Sequence, residues 1–345
     1  MDRTRRCRDR QPQGVGRDLT NEGTDHDLPS DARRTTAFAM TAPAPSVLRT
    51  FLFAPGNHAR RVEKALALGA DAVILDLEDA VAVAEKAGTR QIVLDTLARP
   101  RRCKGYVRVN ALSTPWCLRD LMEMVQPSVD GIVLPKVESS CDLRLADWLI
   151  GNLERERGLP PGAIDLMPII ETAAGFAHLD RILDMREWAP PTGACRVKRV
   201  SFGAGDFTND VGMTWTPGEE ELADLRVRMI VASRAAGLEP PIDTVWIHLH
   251  DADAMRRSVE RSLRMGFQGR LCIHPDQVLV TNDVFTPTDA EIARAERIVQ
   301  AFREAEATGL AAIQVDGVFV DYPIVYRAQR TIATRAAIMA RDAEP

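Results

Sequence analysis

Two neighbouring stretches decide the fold: IDLMPIIETAAGF at residues 164–176 and VKRVSFGAGDFTND at residues 197–210. Each contains a short apolar run that predicts a buried strand, and a carboxylate follows each run, Glu171 in the first stretch and Asp206 in the second. Between them, residues 175–186 carry apolar side chains at helical spacing. A strand, a helix and a parallel strand in this order usually place the two strands side by side, about 4.8 Å apart. The sequence therefore predicts that Glu171 and Asp206 meet at one edge of a sheet.

Two carboxylates that lie so close repel each other unless a proton or a cation lies between them. Two oxygen ligands, with room left for water and substrate, are a common way for a protein to hold Mg²⁺. We therefore predict that Glu171 and Asp206 bind this ion. The alternative is that each carboxylate only caps the helix that follows its strand, where acidic residues are common.

Length and composition limit the possible functions. The chain has 345 residues, of which 45% are hydrophobic and 27% charged, as is typical of a globular protein with a sizeable core. The net charge of -5 gives no electrostatic reason to bind nucleic acid. The six cysteines form no CxxC pair, which disfavours a disulfide framework and a zinc site and predicts a cytoplasmic protein. No apolar run approaches the about 20 residues of a membrane span, and the first residues lack the apolar segment of a secretory signal.

Residues 1–46 differ in composition from the rest of the chain. Arginines crowd the first ten positions and a polar, acidic stretch follows, so we predict a disordered extension, with Met40 as a candidate natural start. The alternative is a basic arm for nucleic acid or a transit peptide, which the aspartates between the arginines disfavour.

From Thr50 onward, short apolar runs alternate with helical patterns. The candidate strands are residues 50–55, 71–78, 105–110, 131–136, 164–171, 199–206, 242–250 and 270–275. Eight buried strands that alternate with helices over about 230 residues are typical of a (β/α)8 TIM barrel, whereas a doubly wound sheet more often has about six strands. We therefore predict a catalytic barrel over residues 47–286.

In such a barrel the chemistry collects at the carboxyl ends of the strands. Polar residues do follow the candidate strands and predict a single site: Asn57, Glu78, Asp79, Arg108, Asn110, Lys136, Glu138, Glu171, Asp206, His248, His250 and His274. His248 and His250 would share a strand face and offer an alternative metal site, although no third soft ligand is apparent and residues 250–253 also resemble the start of a helix. His274 precedes a proline and is interpreted as a hydrogen-bonded rim residue rather than a catalytic base.

Residues 287–345 lie outside the eightfold repeat. Their pattern predicts a helix over 289–308, a hairpin that turns at Asp316-Gly317, and a last helix over 324–340. This C-terminal helix-hairpin-helix segment also carries an acidic residue, Asp321. The pattern fits a packing appendage or a lid, and it does not distinguish between the two.

Seven motifs, taken in order, resemble the HpcH/HpaI aldolase and citrate lyase β-subunit superfamily, in particular its CitE-like branch of CoA-ester lyases. The resemblance covers about Leu48 to Arg330, and the order and spacing of the motifs make it specific. The motifs are FLFAPGN (51–57), GADAVILDLEDAV (69–81), RVN (108–110), LPKVE (134–138), IET (170–172), FGAGDF (202–207) and GFQGRLCIHP (266–275).

The resemblance implies roles for the strand-end residues and an assembly. The roles are metal binding by Glu171 and Asp206, substrate contact by Arg108, Glu171 and Gly205, and support of the metal's water shell by Glu78 and Asp79. The implied assembly is a homotrimer or homohexamer, in which the C-terminal segment covers the site of a neighbouring subunit. The lid aspartate that malyl-CoA and citramalyl-CoA lyases use for acid/base catalysis would correspond to Asp321.

Asp79 separates the chain from the class II aldolases of the superfamily, which have a histidine at that position. This difference favours a CoA thioester over a free hydroxy-keto acid as substrate. The predicted reaction is Mg²⁺-dependent cleavage of a malyl-, citramalyl- or citryl-CoA type thioester to acetyl-CoA and an α-keto acid, with Arg108 and Asp321 as catalytic residues. Two alternatives stay open: a malyl-CoA thioesterase, and the β subunit of an acyl-carrier-dependent citrate lyase complex.

Three basic residues follow the first strand. Arg60, Arg61 and Lys64 are candidate contacts for the phosphates of CoA. The alternative is an ordinary solvated helix face.

Overall fold

The computed structural model describes residues 47–184, 195–249 and 251–343, so the predicted disordered extension over 1–46 lies outside the described residues. The parallel strands are β1 (Thr50–Pro55), β2 (Ala72–Asp76), β3 (Lys104–Arg108), β4 (Gly131–Leu134), β5 (Asp165–Ile170), β6 (Ser201–Phe202), β7 (Ile242–Asp243) and β8 (Gly269–Cys272). They pair in chain order, and β8 pairs with β1 to close a barrel. The predicted (β/α)8 fold is confirmed.

Helices alternate with these strands along the chain. They are α1 (Ala59–Leu66), α2 (Lys86–Leu97), α3 (Cys117–Met124), α4 (Ser140–Glu156), α5 (Ala173–Ala177), α6 (Leu179–Leu183), α7 (Ala204–Asp210), α8 (Ala223–Ala235), α9 (Ala252–Met265) and α10 (Pro275–Phe285), with short 3-10 helices at Val83–Glu85 and Glu220–Leu222. No helix in the described part of the chain has the length and apolar character needed to span a membrane.

The two-residue period of the strands carries polar side chains into the barrel. On β2, Val73 belongs to the apolar layer between barrel and helices, whereas Ile74 belongs to the cluster inside the barrel. Asp76 follows Ile74 by two residues, and Arg108 follows the inward Tyr106 by two, so both reach the interior at the carboxyl ends of their strands. The parallel register pairs Asp76 directly with Arg108.

The sequence predicts a strand over 199–206, but β6 is much shorter. The Gly203 N–H donates to the last residue of β5, and the Ala204 N–H donates to the Thr244 hydroxyl at 3.0 Å. These bonds accompany a turn from the sheet into α7. Asp206 therefore lies in the first turn of a helix rather than at the end of a strand.

Two more elements differ from the prediction. The predicted strand over 242–250 ends at Asp243, whose carboxylate is buried and accepts from the Arg226 guanidinium at 3.1 Å and from its neighbour's N–H. His248 lies beyond β7, so the prediction of a strand face shared with His250 is wrong for His248, and His250 lies outside the described residues. The helix predicted over 175–186 consists of α5 and α6, and residues 185–194 are not described.

The C-terminal segment consists of α11 (Asp289–Ala307), a hairpin of β9 (Ile313–Val315) and β10 (Val318–Val320), and α12 (Tyr322–Asp342). The hairpin turns through Asp316 and Gly317, both with positive φ (49° and 79°), in agreement with the prediction. The segment has an apolar core of its own, which includes Phe302 and Val325. At its far end, α12 returns to the amino-terminal side of the barrel, where Arg341 Nη1 lies 2.6 Å from Asp71 Oδ2.

Candidate active site

A cavity of about 370 Å³ opens at the carboxyl end of the barrel. Its lining combines charged and apolar side chains, as small-molecule sites commonly do. The charged and polar lining residues are Asp76, Arg108, Glu171, Asp206 and Thr244, and the remaining ones are Phe53, Ala54, Pro55, Ala80, Ile169, Gly203, Gly205, Val245, Leu271 and Ile273.

Arg108 is held in the wall by two carboxylates. Its Nε and Nη2 donate to the two oxygens of Asp76 at 2.7 and 2.6 Å, and Nη1 lies 3.1 Å from Glu78 Oε2. The guanidinium carbon lies 4.9 Å from the centre of the Phe53 ring. The side chain is 12% exposed, so the two-pronged contact with Asp76 fixes the plane of the guanidinium while part of it still faces the cavity.

Lys136 connects the carboxylates of the site. Its Nζ lies 2.7 Å from Glu78 Oε1, 3.5 Å from Asp79 and 3.7 Å from Asp206, and its backbone N–H donates to Glu171 Oε1 at 2.8 Å. From the sequence, Lys136 is predicted only as one of many strand-end residues, and this role is not predicted. Its φ of 51° is rare for a side chain of this size and marks a constrained backbone, which no sequence pattern indicates.

Glu171 is a buried carboxylate in a crowded electrostatic environment. Burial raises its pKa to about 8, and although the Arg108 charge acts in the opposite direction, the charges of Asp206 and Glu78 raise the pKa further. When burial and negative neighbours keep a carboxylate partly protonated, a cation beside it strongly stabilises the ionised form. Glu171 and Asp206 both line the cavity, and no group of three or more His, Cys, Asp and Glu residues in the described part of the chain is arranged to hold a metal. Two carboxylates, with water and substrate as further ligands, fit Mg²⁺.

The HpcH/HpaI aldolase/citrate lyase family model matches residues 49–275. The chain belongs to this family. It is 34% identical over 298 residues to the citrate lyase subunit beta of Leuconostoc mesenteroides subsp. cremoris, an alignment that covers 86% of this chain and 96% of that protein. It is 32% identical over 328 residues to the L-malyl-CoA/beta-methylmalyl-CoA lyase of Rhodobacter capsulatus, covering 88% of this chain and 99% of that protein. These relatives agree with the resemblance drawn from the seven motifs.

Two further proteins are similar to this chain over most of its length. The chain is 33% identical over 294 residues to the (3S)-malyl-CoA thioesterase of Cereibacter sphaeroides, covering 85% of this chain and 96% of that protein. The crystal structure of Mycobacterium tuberculosis CitE in complex with magnesium, acetoacetate and coenzyme A matches with a TM-score of 0.68 and 26% identity, over 84% of this chain and 99% of that chain.

Several strand-end residues predicted to join the site have other contacts. The Asn110 side chain donates to the Leu77 carbonyl at 3.0 Å and to Asp120 at 2.6 Å, so it ties β2 to α3. His274 caps α10 by accepting from the Asp276 N–H at 3.3 Å, in keeping with its interpretation as a hydrogen-bonded rim residue.

The candidate CoA contacts and the candidate lid residue lie outside the cavity lining. Arg60, Arg61 and Lys64 are exposed on α1, directly after β1, so a phosphate contact and a solvated helix face are both compatible with their position. Asp321 is the N-cap of α12 and accepts from the Ile324 N–H at 3.4 Å. The roles of these residues stay predictions.

Gly203 is required by the close approach of Glu171. A Cβ at position 203 would lie 2.5 Å from Glu171 Oε2, 2.6 Å from Glu171 Cβ and 2.9 Å from a methyl group of Ile169. Gly203→Ala is therefore expected to displace the Glu171 carboxylate and to lower Mg²⁺ affinity by at least about tenfold. Isothermal titration with MgCl₂ measures this effect.

The matched control is Gly88→Ala, because a Cβ there meets no atom within 4 Å and Gly88 does not line the cavity. This variant lies in α2 and should keep the Mg²⁺ affinity of the wild type, with an unchanged or slightly higher melting temperature, since alanine favours helix by about 1 kcal/mol over glycine. Equal Mg²⁺ affinity in Gly203→Ala and the wild type would contradict the prediction that Glu171 is a metal ligand.

Proposed function

We propose that this chain is a Mg²⁺-dependent lyase that cleaves a carbon–carbon bond in a β-hydroxyacyl-CoA thioester and releases acetyl-CoA and an α-keto acid. The observation that carries the proposal is the placement of Glu171, Asp206 and Arg108 around one cavity at the carboxyl end of the barrel. Relatives named as a citrate lyase subunit and a malyl-CoA lyase, and a neighbour crystallised with magnesium and coenzyme A, support it.

Glu171 and Asp206 would hold Mg²⁺, which acts when bound as a Lewis acid toward the hydroxyl and carboxylate oxygens of the substrate. Arg108 uses three of its nitrogens on Asp76 and Glu78, and its remaining N–H groups can donate to a substrate carboxylate. Lys136 keeps Glu78 and Asp206 in place. The chain thus supplies a rigid, charged floor on which an α-hydroxy carboxylate can be oriented.

Cleavage requires the hydroxyl to release its proton to solvent water and another proton to reach the carbon that departs, so that the two proton transfers cancel. As the carbon–carbon bond breaks, its electron pair passes to the thioester part, which becomes an enolate, while the hydroxyl becomes the keto group. Asp321 of a neighbouring copy is our candidate donor to the enolate carbon. Asp321 does not line the cavity of its own chain, so a donor from another copy is compatible with its position.

Thioester hydrolysis is the second candidate, favoured by the relative named as a (3S)-malyl-CoA thioesterase. The same cavity would hold the same thioester, but water would attack the thioester carbon and free CoA would leave. A third possibility, the β subunit of a citrate lyase complex, follows from the name of the Leuconostoc relative and would require an acyl-carrier protein for turnover.

One assay tests the proposal and separates the three functions. Purified protein is incubated with malyl-CoA, citramalyl-CoA and citryl-CoA, with MgCl₂ or with a chelator, and the products are separated by chromatography. The proposal expects acetyl-CoA and a keto acid in equal amounts, and only with Mg²⁺. Free CoA with the intact hydroxy acid indicates a thioesterase, and turnover only after addition of an acyl-carrier protein indicates a complex subunit.

The fixed plane of Arg108 predicts a large effect of a conservative change. Arg108→Lys keeps the charge but cannot reproduce the two-pronged contact with Asp76, so kcat/KM should fall by at least about tenfold, a loss of about 1.4 kcal/mol of transition-state stabilisation. Steady-state kinetics with the best ester of the panel measures it. Arg256→Lys, which alters an exposed arginine paired with Asp283, serves as control and should retain wild-type kinetics. A rate within threefold of wild type for Arg108→Lys would remove Arg108 from the mechanism.

A further inference from the structure

The wall of the cavity is divided into a charged half and an apolar half. The charged half consists of Asp76 on β2, Arg108 on β3, Glu171 at the end of β5 and Asp206 on α7. The apolar half comes from β1, β8 and the residue that follows β7 by two, and these strands are neighbours because the barrel closes between β8 and β1. The apolar half consists of Phe53, Ala54, Pro55, Val245, Leu271 and Ile273.

The six side chains of the apolar half carry no hydrogen-bond donor and no charge that could bind a second carboxylate. Thr244 carries the one hydroxyl among the lining side chains in the described part of the chain; its oxygen accepts from the Ala204 N–H, which leaves its O–H as one uncharged donor beside the apolar half. Arg108 is the one cationic side chain in that lining, and its N–H groups that do not contact Asp76 or Glu78 would already be used by the carboxylate next to the substrate hydroxyl. Lys136 Nζ is not in that lining, and it already pairs with Glu78, Asp79 and Asp206.

The charges of the described site also disfavour additional negative charge. Two cations, Arg108 and Lys136, face the five carboxylates Asp76, Glu78, Asp79, Glu171 and Asp206. Mg²⁺ would offset two of the three excess negative charges, and the substrate carboxylate next to the hydroxyl would add one negative charge again. A second substrate carboxylate would add another, and on the apolar half it would exchange its water for at most the O–H of Thr244 among the described lining side chains.

We propose, building on the lyase function above, that the site selects thioesters whose acid part carries a single carboxylate. The carbon that bears the hydroxyl would carry hydrogen or a small alkyl group as its further substituent, and this substituent would face the apolar half. Dicarboxylic acid parts, such as that of citryl-CoA, are rejected. The keto acid released is therefore a monocarboxylate with a small apolar side chain.

Citramalyl-CoA and citryl-CoA provide a matched pair for the test. Both have the same thioester, hydroxyl and adjacent carboxylate, and they differ only in a methyl group that becomes a carboxymethyl group. With the Mg²⁺-loaded, full-length protein, kcat/KM for citryl-CoA should be at least about 100-fold lower than for citramalyl-CoA. A ratio within tenfold would overturn the inference.

Direct binding separates this inference from the lyase proposal. If neither ester is cleaved, the lyase proposal fails, and calorimetry of the two esters with the same protein then decides on selectivity. Citramalyl-CoA that binds at least about tenfold more tightly than citryl-CoA supports the single-carboxylate site. Equal affinities, or no binding of either ester, overturn it.

A substitution at Ile273 tests whether the apolar half causes the selectivity for a single carboxylate. Ile273 follows β8 and is 42% exposed, so changes there should leave the fold intact. Ile273→Arg places a cation on the apolar half and should raise the citryl-CoA to citramalyl-CoA ratio of kcat/KM by at least about tenfold. Ile273→Met is the control of similar bulk without charge, and it should leave the ratio unchanged. An unchanged ratio in the arginine variant shows that the apolar half does not select the substrate.

Discussion

Glu171→Gln and Asp206→Asn are expected to leave a folded protein that has lost activity. Each variant replaces a carboxylate by a neutral amide of nearly the same shape, and an amide is a much weaker ligand for Mg²⁺. We expect kcat/KM to fall by at least about 1000-fold, which corresponds to about 4 kcal/mol of transition-state stabilisation. The measurements are steady-state kinetics on the preferred ester and Mg²⁺ titration by calorimetry.

The stability of the metal-free Glu171→Gln variant tests separately whether the buried Glu171 carboxylate destabilises the folded protein. Because burial raises the pKa of Glu171 from 4.5 to about 8, the ionised carboxylate is less favourable in the folded protein than in the unfolded chain. This free-energy cost grows as the pH rises above 4.5, the pKa in the unfolded chain, and is complete above about 8, the pKa in the folded protein. At pH 8 the metal-free variant should therefore melt at the same temperature as the wild type or higher.

Asp210→Asn is the control for Asp206→Asn. Asp210 lies on the same helix, is exposed, and accepts from the Ala173 N–H at 2.7 Å, but it does not line the cavity. The same chemical change there should leave Mg²⁺ affinity and kcat/KM within about threefold of wild type, as for other surface substitutions. Wild-type activity in Glu171→Gln or in Asp206→Asn, or full activity of the wild type in chelator, would refute the metal assignment.

The sequence contains enough information for the fold and for part of the site. Eight apolar runs that alternate with helical patterns predict the barrel, because buried parallel strands need apolar side chains on both faces. Because all eight strands are parallel, Glu171 and Arg108, which stand at the carboxyl ends of their strands, lie at the same end of the barrel. Asp76 is predictable in the same way, since it stands on the inward face of β2 two residues after Ile74, although the set of predicted site residues does not include it.

Other features depend on tertiary contacts that no local pattern reports. The left-handed backbone of Lys136 places its N–H against Glu171 and its ammonium against Glu78, and lysine has no local preference for that conformation. The early end of β6 accompanies a hydrogen bond to Thr244, which is distant in sequence. The division of the cavity into a charged and an apolar half also emerges only when β8 closes against β1.

The C-terminal hairpin presents Asp321 on a rigid support. Asp321 follows β10, caps α12 and precedes Pro323 by two residues, so its backbone has little freedom. If it only caps the helix, Asp321→Asn should change stability slightly and turnover little, because asparagine is also a good N-cap. If it gives a proton to the enolate carbon, kcat should fall by about 10²–10⁴-fold while substrate and Mg²⁺ bind normally.

Mixing two inactive variants tests the proposal that Asp321 of one chain acts in the cavity of a neighbouring copy. Asp321→Asn protomers keep an intact Glu171, and Glu171→Gln protomers keep an intact Asp321, so a mixed oligomer contains some sites with both residues. Activity should therefore reappear after subunit exchange, which native mass spectrometry of differently tagged protomers verifies. The control is the double variant mixed with Glu171→Gln, which has no intact Glu171 and should stay inactive. Verified exchange without recovery shows that each chain closes over its own barrel, and full activity of Asp321→Asn alone removes this residue from the mechanism.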